Sequence, residues 1–226
     1  MFQRLKKRLA WQRDLKLSHD ERAQKWGHRA YVGAVDSETW YGIGKRQYHF
    51  LTSKGLLAEH KFIDIACGSL RLGQFLIPML DNGNYFGLEG EPKLVQKGID
   101  REFLFDIIEQ KNPKFSFNYA FDFSTFPPFD FAIAQSLFTH LTLEDIEKCF
   151  RNLRGKAHDG SKFYSTFFEG DSTRNPDATS HANKDWYYHF SDFEEIASRT
   201  GWNIEYIGDW GHERGQKMMC ATITTP

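Results

Sequence analysis

The sequence predicts an α/β protein: a seven-stranded, doubly wound sheet, mainly parallel, with one antiparallel strand near the C-terminus and a helical extension at the N-terminus. Three observations carry this expectation. From about residue 59 onward, short apolar runs alternate with stretches of helical period. Gly, Pro, Asn or Asp mark the changes between them. The last two runs, "NIEYIG" and "KMMCATIT", have no helix between them, so they pair antiparallel.

The elements follow in chain order. "MFQRLKKRLAWQRDLKL" carries Arg4, Lys6, Lys7, Arg8, Arg13 and Lys16 against Asp14, and Phe2, Leu5 and Leu9 share one helical face. It reads either as a solvated arm or as a weak peripheral contact of residues 1–17 with an anionic membrane or a partner. Residues 19–35 read as irregular. Trp40, Tyr41, Phe50, Leu51 and Leu56 suggest one or two helices between Ser37 and Leu57, stopped near Gly55. The chain thus divides into a basic arm with a helical cap, 1–58, and a core, 59–226.

In the core, "KFIDIA" is the first strand and Arg71 to Leu80 a helix, closed by the turn "DNGN". "YFGLE" is the second strand. Pro92 suits a first helical turn and opens a helix expected to reach about Gln110. "KFSFNYAF" and, after the rigid Pro127-Pro128 corner, "FDFAIAQS" are the third and fourth strands. Thr142 caps a helix to Arg154, with Asp145 three residues on. "SKFYSTFF" is the fifth strand, followed by a polar loop from Glu169 to Lys184. Ser191 is expected to cap a helix that stops at Gly201.

Composition narrows the class. A chain of 226 residues suits one domain, and 21 Phe, 6 Trp and 9 Tyr supply bulky core filling. A net charge of −1 gives no global basic field for nucleic acid. Cys67, Cys149 and Cys220 match no zinc or redox spacing and read as reduced thiols. There is no apolar run of membrane-spanning length and no signal-peptide core near the N-terminus, which predicts a soluble, cytoplasmic protein.

The stretch "KFIDIACGSLRLGQF" interrupts its own pattern between strand and helix. Ligands of open α/β sheets sit beyond the carboxyl ends of the strands. Gly68 lets a ligand approach the backbone there, and the following helix offers its N-terminus. Glu89 ends the second strand, where a carboxylate can accept both hydroxyls of a ribose. Asp122 follows the third strand, where it can accept from the exocyclic amine of adenine. The plainer readings are an exposed strand-end residue and a turn cap. A dinucleotide wants G-x-G-x-x-G, and Ala66, Gly68 and Arg71 occupy those places; no Walker loop occurs. An adenosine without phosphates fits better.

"FIDIACGSLRLG", "YFGLEGEP" and "FDFAIAQSLFTHL" resemble the class I S-adenosylmethionine-dependent methyltransferases, a Rossmann-like family, from about Leu57 to the C-terminus. "GHERGQKMM" resembles a subset that also has "CGSLR" in the turn. The resemblance implies S-adenosyl-L-methionine as cofactor and S-adenosyl-L-homocysteine as product. It further implies that Asp64 braces the loop, that Ala66, Cys67, Gly68 and Ser69 run along the methionine portion, and that Arg71 belongs to the cofactor site. Glu89 and Gly90 would meet the ribose, Asp122 and Phe123 the adenine, and Gln135 would border the sulfonium. Ala66 and Leu70 replace two glycines of the family pattern, and alanine predicts a negative φ at position 66.

Methyl transfer from a sulfonium needs alignment and exclusion of water, and needs a base when the nucleophile holds a proton. His140, just past the fourth strand, is the candidate base; the alternative is a helix-entry histidine that touches no substrate. Trp186, Tyr187 and His189 in "DWYYHF" form a candidate lid over substrate or a staple into the next helix. Trp26, Arg29 and Tyr31 either cover the cofactor or pin the arm to the sheet. No metal spacing and no G-x-S-x-G elbow occur. The expectation is therefore a methyltransferase for a small-molecule or glycan-type acceptor, at oxygen. Its rivals are an RNA or protein methyltransferase recruited by the basic arm, a non-catalytic cofactor-binding regulator, and a nicotinamide oxidoreductase.

Overall fold

Reciprocal capping starts the described chain. The computed structural model describes residues 13–223 apart from 15, 35, 105, 177–178 and 181–183. Most of the basic arm, residues 1–12, and with it the membrane-contact reading, lies outside the described residues. Ser18 Oγ accepts from the Glu21 N–H at 3.2 Å, while Glu21 Oε2 accepts from the Ser18 N–H at 2.8 Å. This box opens α1 (His19–Trp26), and α2 (His28–Tyr31) follows directly. The segment expected to be irregular is therefore largely helical; its signal was the Ser-x-x-Glu spacing. Next comes α3 (Ser37–Ser53), whose buried Trp40, Ile43, Gly44, Gln47 and Leu51 form one stripe.

The core alternates as expected: β1 (Phe62–Ile65), α4 (Gly73–Met79), β2 (Tyr85–Glu89), α5 (Pro92–Glu102), α6 (Ile107–Lys111), β3 (Lys114–Phe117) and β4 (Phe129–Ala134). Then follow α7 (Leu143–Arg154), β5 (Ala157–Glu169), β6 (Tyr187–Tyr188), α8 (Phe190–Thr200), β7 (Asn203–Asp209) and β8 (Lys217–Thr222). Two expectations need correction. The helix from Pro92 stops at Glu102, because the Glu102 carboxylate is held by Arg29 and Trp40 and Phe103 turns to extended backbone. And α8 is capped at His189, whose N–H donates to Asp192 Oδ2 at 2.9 Å, so Ser191 lies inside its first turn.

The sheet order is β3-β2-β1-β4-β5-β8-β7, with the two-residue β6 alongside β5. All pairs are parallel except β8, which runs antiparallel to both β5 and β7. Successive strand residues alternate between two cores. One face packs Ile63, Ile65, Ala132, Phe163 and Met219 under α7 and α8. The other packs Phe62, Tyr85, Ile133, Tyr164 and Met218 under α3, α4 and α5. Helices therefore cover both sides, as parallel strands require. In α7, buried Ile146, Cys149, Phe150 and Leu153 repeat at helical spacing, with Glu144 and Asp145 in the first turn and Arg151 and Arg154 in the last. The strand order reverses between β1 and β4, and the carboxyl ends of these two strands frame the crevice where such sheets bind ligands.

Candidate active site

The loop from Ala66 to Leu72 fills that crevice. Gly68 has φ 55°, and an added Cβ would come within 3.1 Å of Val32 Cγ1, so a larger side chain there would push the cap off the loop. Ala66 also adopts positive φ, 57°, contrary to the expectation, and Leu70 (63°) and Ser136 (59°) do the same. Three non-glycine residues in the left-handed region border one crevice, a strain the surrounding contacts hold in place.

Above the loop lies a cavity of about 580 Å³. Asp64, Ala66, Cys67, Gly68, Ser69 and Arg71 line it from below, Gln135 and His140 from β4's end, and Trp26 and Tyr31 from the cap. The structure thus brings together most of the residues the sequence singled out. It adds Gln47, Ser136, Lys184, Asp185, His212 and Arg214. The signal for Gln47 was a lone amide in the apolar stripe of α3; for His212 and Arg214 it was the polar run "GHERGQKMM" just before a buried strand.

Gln135 is the hub. Its Oε1 accepts from Arg71 Nη2 and from Gln47 Nε2, both at 2.8 Å, and its Nε2 lies 3.2 Å from His212 Nε2. Behind it the Ser136 N–H donates to Thr166 Oγ1 at 2.7 Å, and Thr166 Oγ1 to Gln216 Oε1 at 2.8 Å. Arg71 is bonded to neutral acceptors: besides Gln135, its Nη1 donates to the Val32 carbonyl at 3.5 Å. Its Nε is buried without a partner. Burial pulls its pKa down to about 10, which still leaves it charged at neutral pH. Asp64 accepts from the Tyr85 hydroxyl at 2.7 Å, and burial lifts its pKa to about 7. Burial also raises the Cys67 thiol, so it is un-ionised.

His140 is oriented by the backbone. Its Nδ1 lies 3.0 Å from the Lys184 carbonyl oxygen, which accepts only; Nδ1 therefore carries the proton and Nε2 keeps a lone pair. Burial lowers its pKa below the ordinary 6.5.

A second, smaller cavity of about 60 Å³ adjoins the loop, lined by Glu89, Gly90, Asn118, Tyr119 and Phe121 among others. Glu89 Oε2 accepts from the Gly68 N–H and Oε1 from the Gly90 N–H, both at 2.8 Å, tying the end of β2 to the glycine turn. Burial raises its pKa against these bonds. The Tyr119 ring lies across Gly90, where an added Cβ would collide with it, and its hydroxyl donates to Glu91.

Six predicted residues are not brought into either cavity; one, Arg29, is bonded to Glu102 and pins the cap instead. The exposed Asp122 carboxylate accepts from the Ser124 N–H, as a turn cap does, and Phe123 is buried in the core under α7. Trp186 is also core, Tyr187 stacks on Phe168 in β6, and His189 starts α8. Among the described residues no three His, Cys, Asp or Glu side chains are grouped to hold a metal ion.

This sheet order, with a glycine turn after β1 and a carboxylate closing β2, is the fold of the class I S-adenosylmethionine-dependent methyltransferases. No protein-family model matches the chain, and no curated protein matches it. Solved structures do match. Streptomyces venezuelae DesVI superposes with a TM-score of 0.64 at 13% identity, covering 92% of this chain and 100% of that one. An S-adenosylmethionine-dependent methyltransferase from Clostridium acetobutylicum gives 0.62 at 12% identity, covering 92% and 99%. Magnesium protoporphyrin IX methyltransferase from Synechocystis, with S-adenosylmethionine bound, gives 0.61 at 14% identity, covering 92% and 98%.

Proposed function

We propose that the protein is an S-adenosylmethionine-dependent methyltransferase acting at an oxygen of a small-molecule or glycan-type acceptor. The observation that carries this reading is a pair of charges flanking the glycine turn at the sheet's switch point. Arg71 has a buried Nε without a partner on one side, and the Glu89 carboxylate closes the other. An amino-acid carboxylate suits the first and ribose hydroxyls the second. Arg71 takes the cofactor's carboxylate, Ala66 to Ser69 run along its methionine chain, and Glu89 takes its ribose. Tyr119, 47% exposed, turns aside to admit the base beside Asn118 and Phe121. In this reading residues 1–58 are arm and cap over a catalytic core, 59–226.

Bound there, S-adenosylmethionine would supply an activated methyl carbon, the bond to the acceptor oxygen forming as the carbon–sulfur bond breaks and its electron pair stays on sulfur. His140 Nε2 accepts the hydroxyl proton, because its tautomer is set by Lys184 and its lowered pKa keeps it neutral at pH 7. Gln135, clamped by Arg71 and Gln47, holds the floor of the cavity rigid, and Trp26 and Tyr31 keep water out from above.

Titration of the intact protein with S-adenosylhomocysteine tests the cofactor assignment. Binding is expected, and Glu89→Ala weakens it by about 1–3 kcal/mol, the range for hydrogen bonds to a charged group. Absence of binding to the folded protein overturns the proposal. Binding without methyl transfer to any acceptor would instead favour the regulator reading.

A further inference from the structure

The proposed cofactor does not account for the charge around the cavity. S-adenosylmethionine carries a sulfonium, an ammonium and one carboxylate, so it brings net positive charge and satisfies one cation. Four cations act here: Arg71, Lys184 and Arg214 line the cavity, and Arg46 stands behind its wall, where a Cβ on Gly211 would lie 3.7 Å from the Arg46 Nε. Arg46 Nη1 is buried without a partner. The influence converges on His212, whose pKa falls to about 4 through burial and then through Arg71, Arg214 and Arg46.

The opposing carboxylates are engaged, Glu89 by the Gly68 and Gly90 N–H groups. Asp64 accepts from Tyr85, and Asp185 takes Arg214 Nη2 at 2.9 and 3.0 Å. Glu213, exposed on the same loop as His212, acts on Arg71 at longer range. Among the described residues Lys184 makes no ion pair, and its carbonyl is the one that orients His140. Arg214 is held in place with its guanidinium 5.0 Å from the Phe168 ring centroid. An acceptor placed with its hydroxyl at His140 therefore lies in a cavity that Lys184 and Arg214 line together with one carboxylate, Asp185.

We propose that the acceptor is an oxyanion-bearing small molecule, whose carboxylate or phosphate group is held by Lys184 and Arg214 while its hydroxyl faces His140. This rests on the methyltransferase reading. Lys184 and Arg214 against Asp185 leave an excess of one positive charge at this rim, which a neutral acceptor does not offset once the sulfonium is in place and which repels a cationic one.

The test is binding, read by titration of the full chain saturated with S-adenosylhomocysteine. Benzoate probes for a carboxylate, phenyl phosphate for a phosphate, and benzamide is the neutral control. At least one anion is expected to bind about tenfold more tightly than benzamide, and which one does distinguishes the two sources. Lys184→Gln/Arg214→Gln, at exposed positions, is expected to abolish the preference and leave S-adenosylhomocysteine affinity unchanged. The assignment is overturned if neither anion outbinds benzamide, or if the preference survives in the double variant. Failure of S-adenosylhomocysteine to bind strikes the cofactor reading instead.

Discussion

Asp64 shows how burial tunes a single group at this site. Loss of water outweighs the Tyr85 hydroxyl and the Arg71 charge, so its folded pKa is about 7 against an ordinary 3.8. Between those values the folded chain holds a proton that the unfolded chain has released. This contribution to stability is therefore greatest below about pH 4, falls as pH rises to about 7, and is level above, with a limiting slope of about 1.4 kcal/mol per pH unit. Asp64→Asn removes the titration, so the variant should gain stability relative to the natural chain between pH 4 and 7. Parallel curves in denaturant unfolding across that range would contradict the assignment. For His140 the sign is opposite. Its lowered pKa puts the acidic limb of kcat/KM below the ordinary 6.5, flat towards neutral pH, and His140→Gln should remove that limb while leaving S-adenosylhomocysteine binding intact. A limb that persists in the variant assigns the proton to another group.

Elements hold the loop as firmly as residues do. Two helices meet it through glycine: a Cβ at Gly98 of α5 would lie 2.5 Å from the Ser69 carbonyl oxygen, and one at Gly44 of α3 2.6 Å from that of Arg71. Both obstacles are backbone, so neither can swing aside. Gly98→Ala should cost about 1–3 kcal/mol and weaken S-adenosylhomocysteine binding, since the loop must shift with the helix. Gly42→Ala, also in α3, is the control: its nearest atom is Glu213 Oε1 at 3.9 Å, so helix propensity should stabilise it by about 0.5–1 kcal/mol. Equal effects of the two alanines on unfolding would refute this account.

For the molecule as a whole, Glu102 fastens the cap to the sheet domain. Its carboxylate accepts from Arg29 Nε and Nη2, both at 2.7 Å, and from Trp40 Nε1 at 3.2 Å, and pairs with His28 Nε2 at 2.6 Å. Its side chain is 1% exposed, while Arg29 keeps 29%. Glu102→Ala should cost on the order of 2 kcal/mol, less than a fully buried pair because Arg29 can reach water. The loss should be local: amide exchange accelerates across residues 19–33 while β1, β4 and β5 stay protected. Unchanged exchange in that segment would show that the cap is held by other contacts.

The sheet and its helices were legible in the chain because strand and helix periods are local, and so were the positions of Glu89, Gln135 and His140, which follow from where strands end. Ala66 was misread because its positive φ is imposed by contacts around the loop, against its own preference. The break after Glu102 depends on Arg29, 73 residues away, and the clamp on Gln135 joins Gln47 and His212, 88 and 77 residues distant. Sequence by itself determined which strand ends would converge. Tertiary structure alone decided which side chains meet there, because hydrogen bonds and charge depend on distance in space and not along the chain.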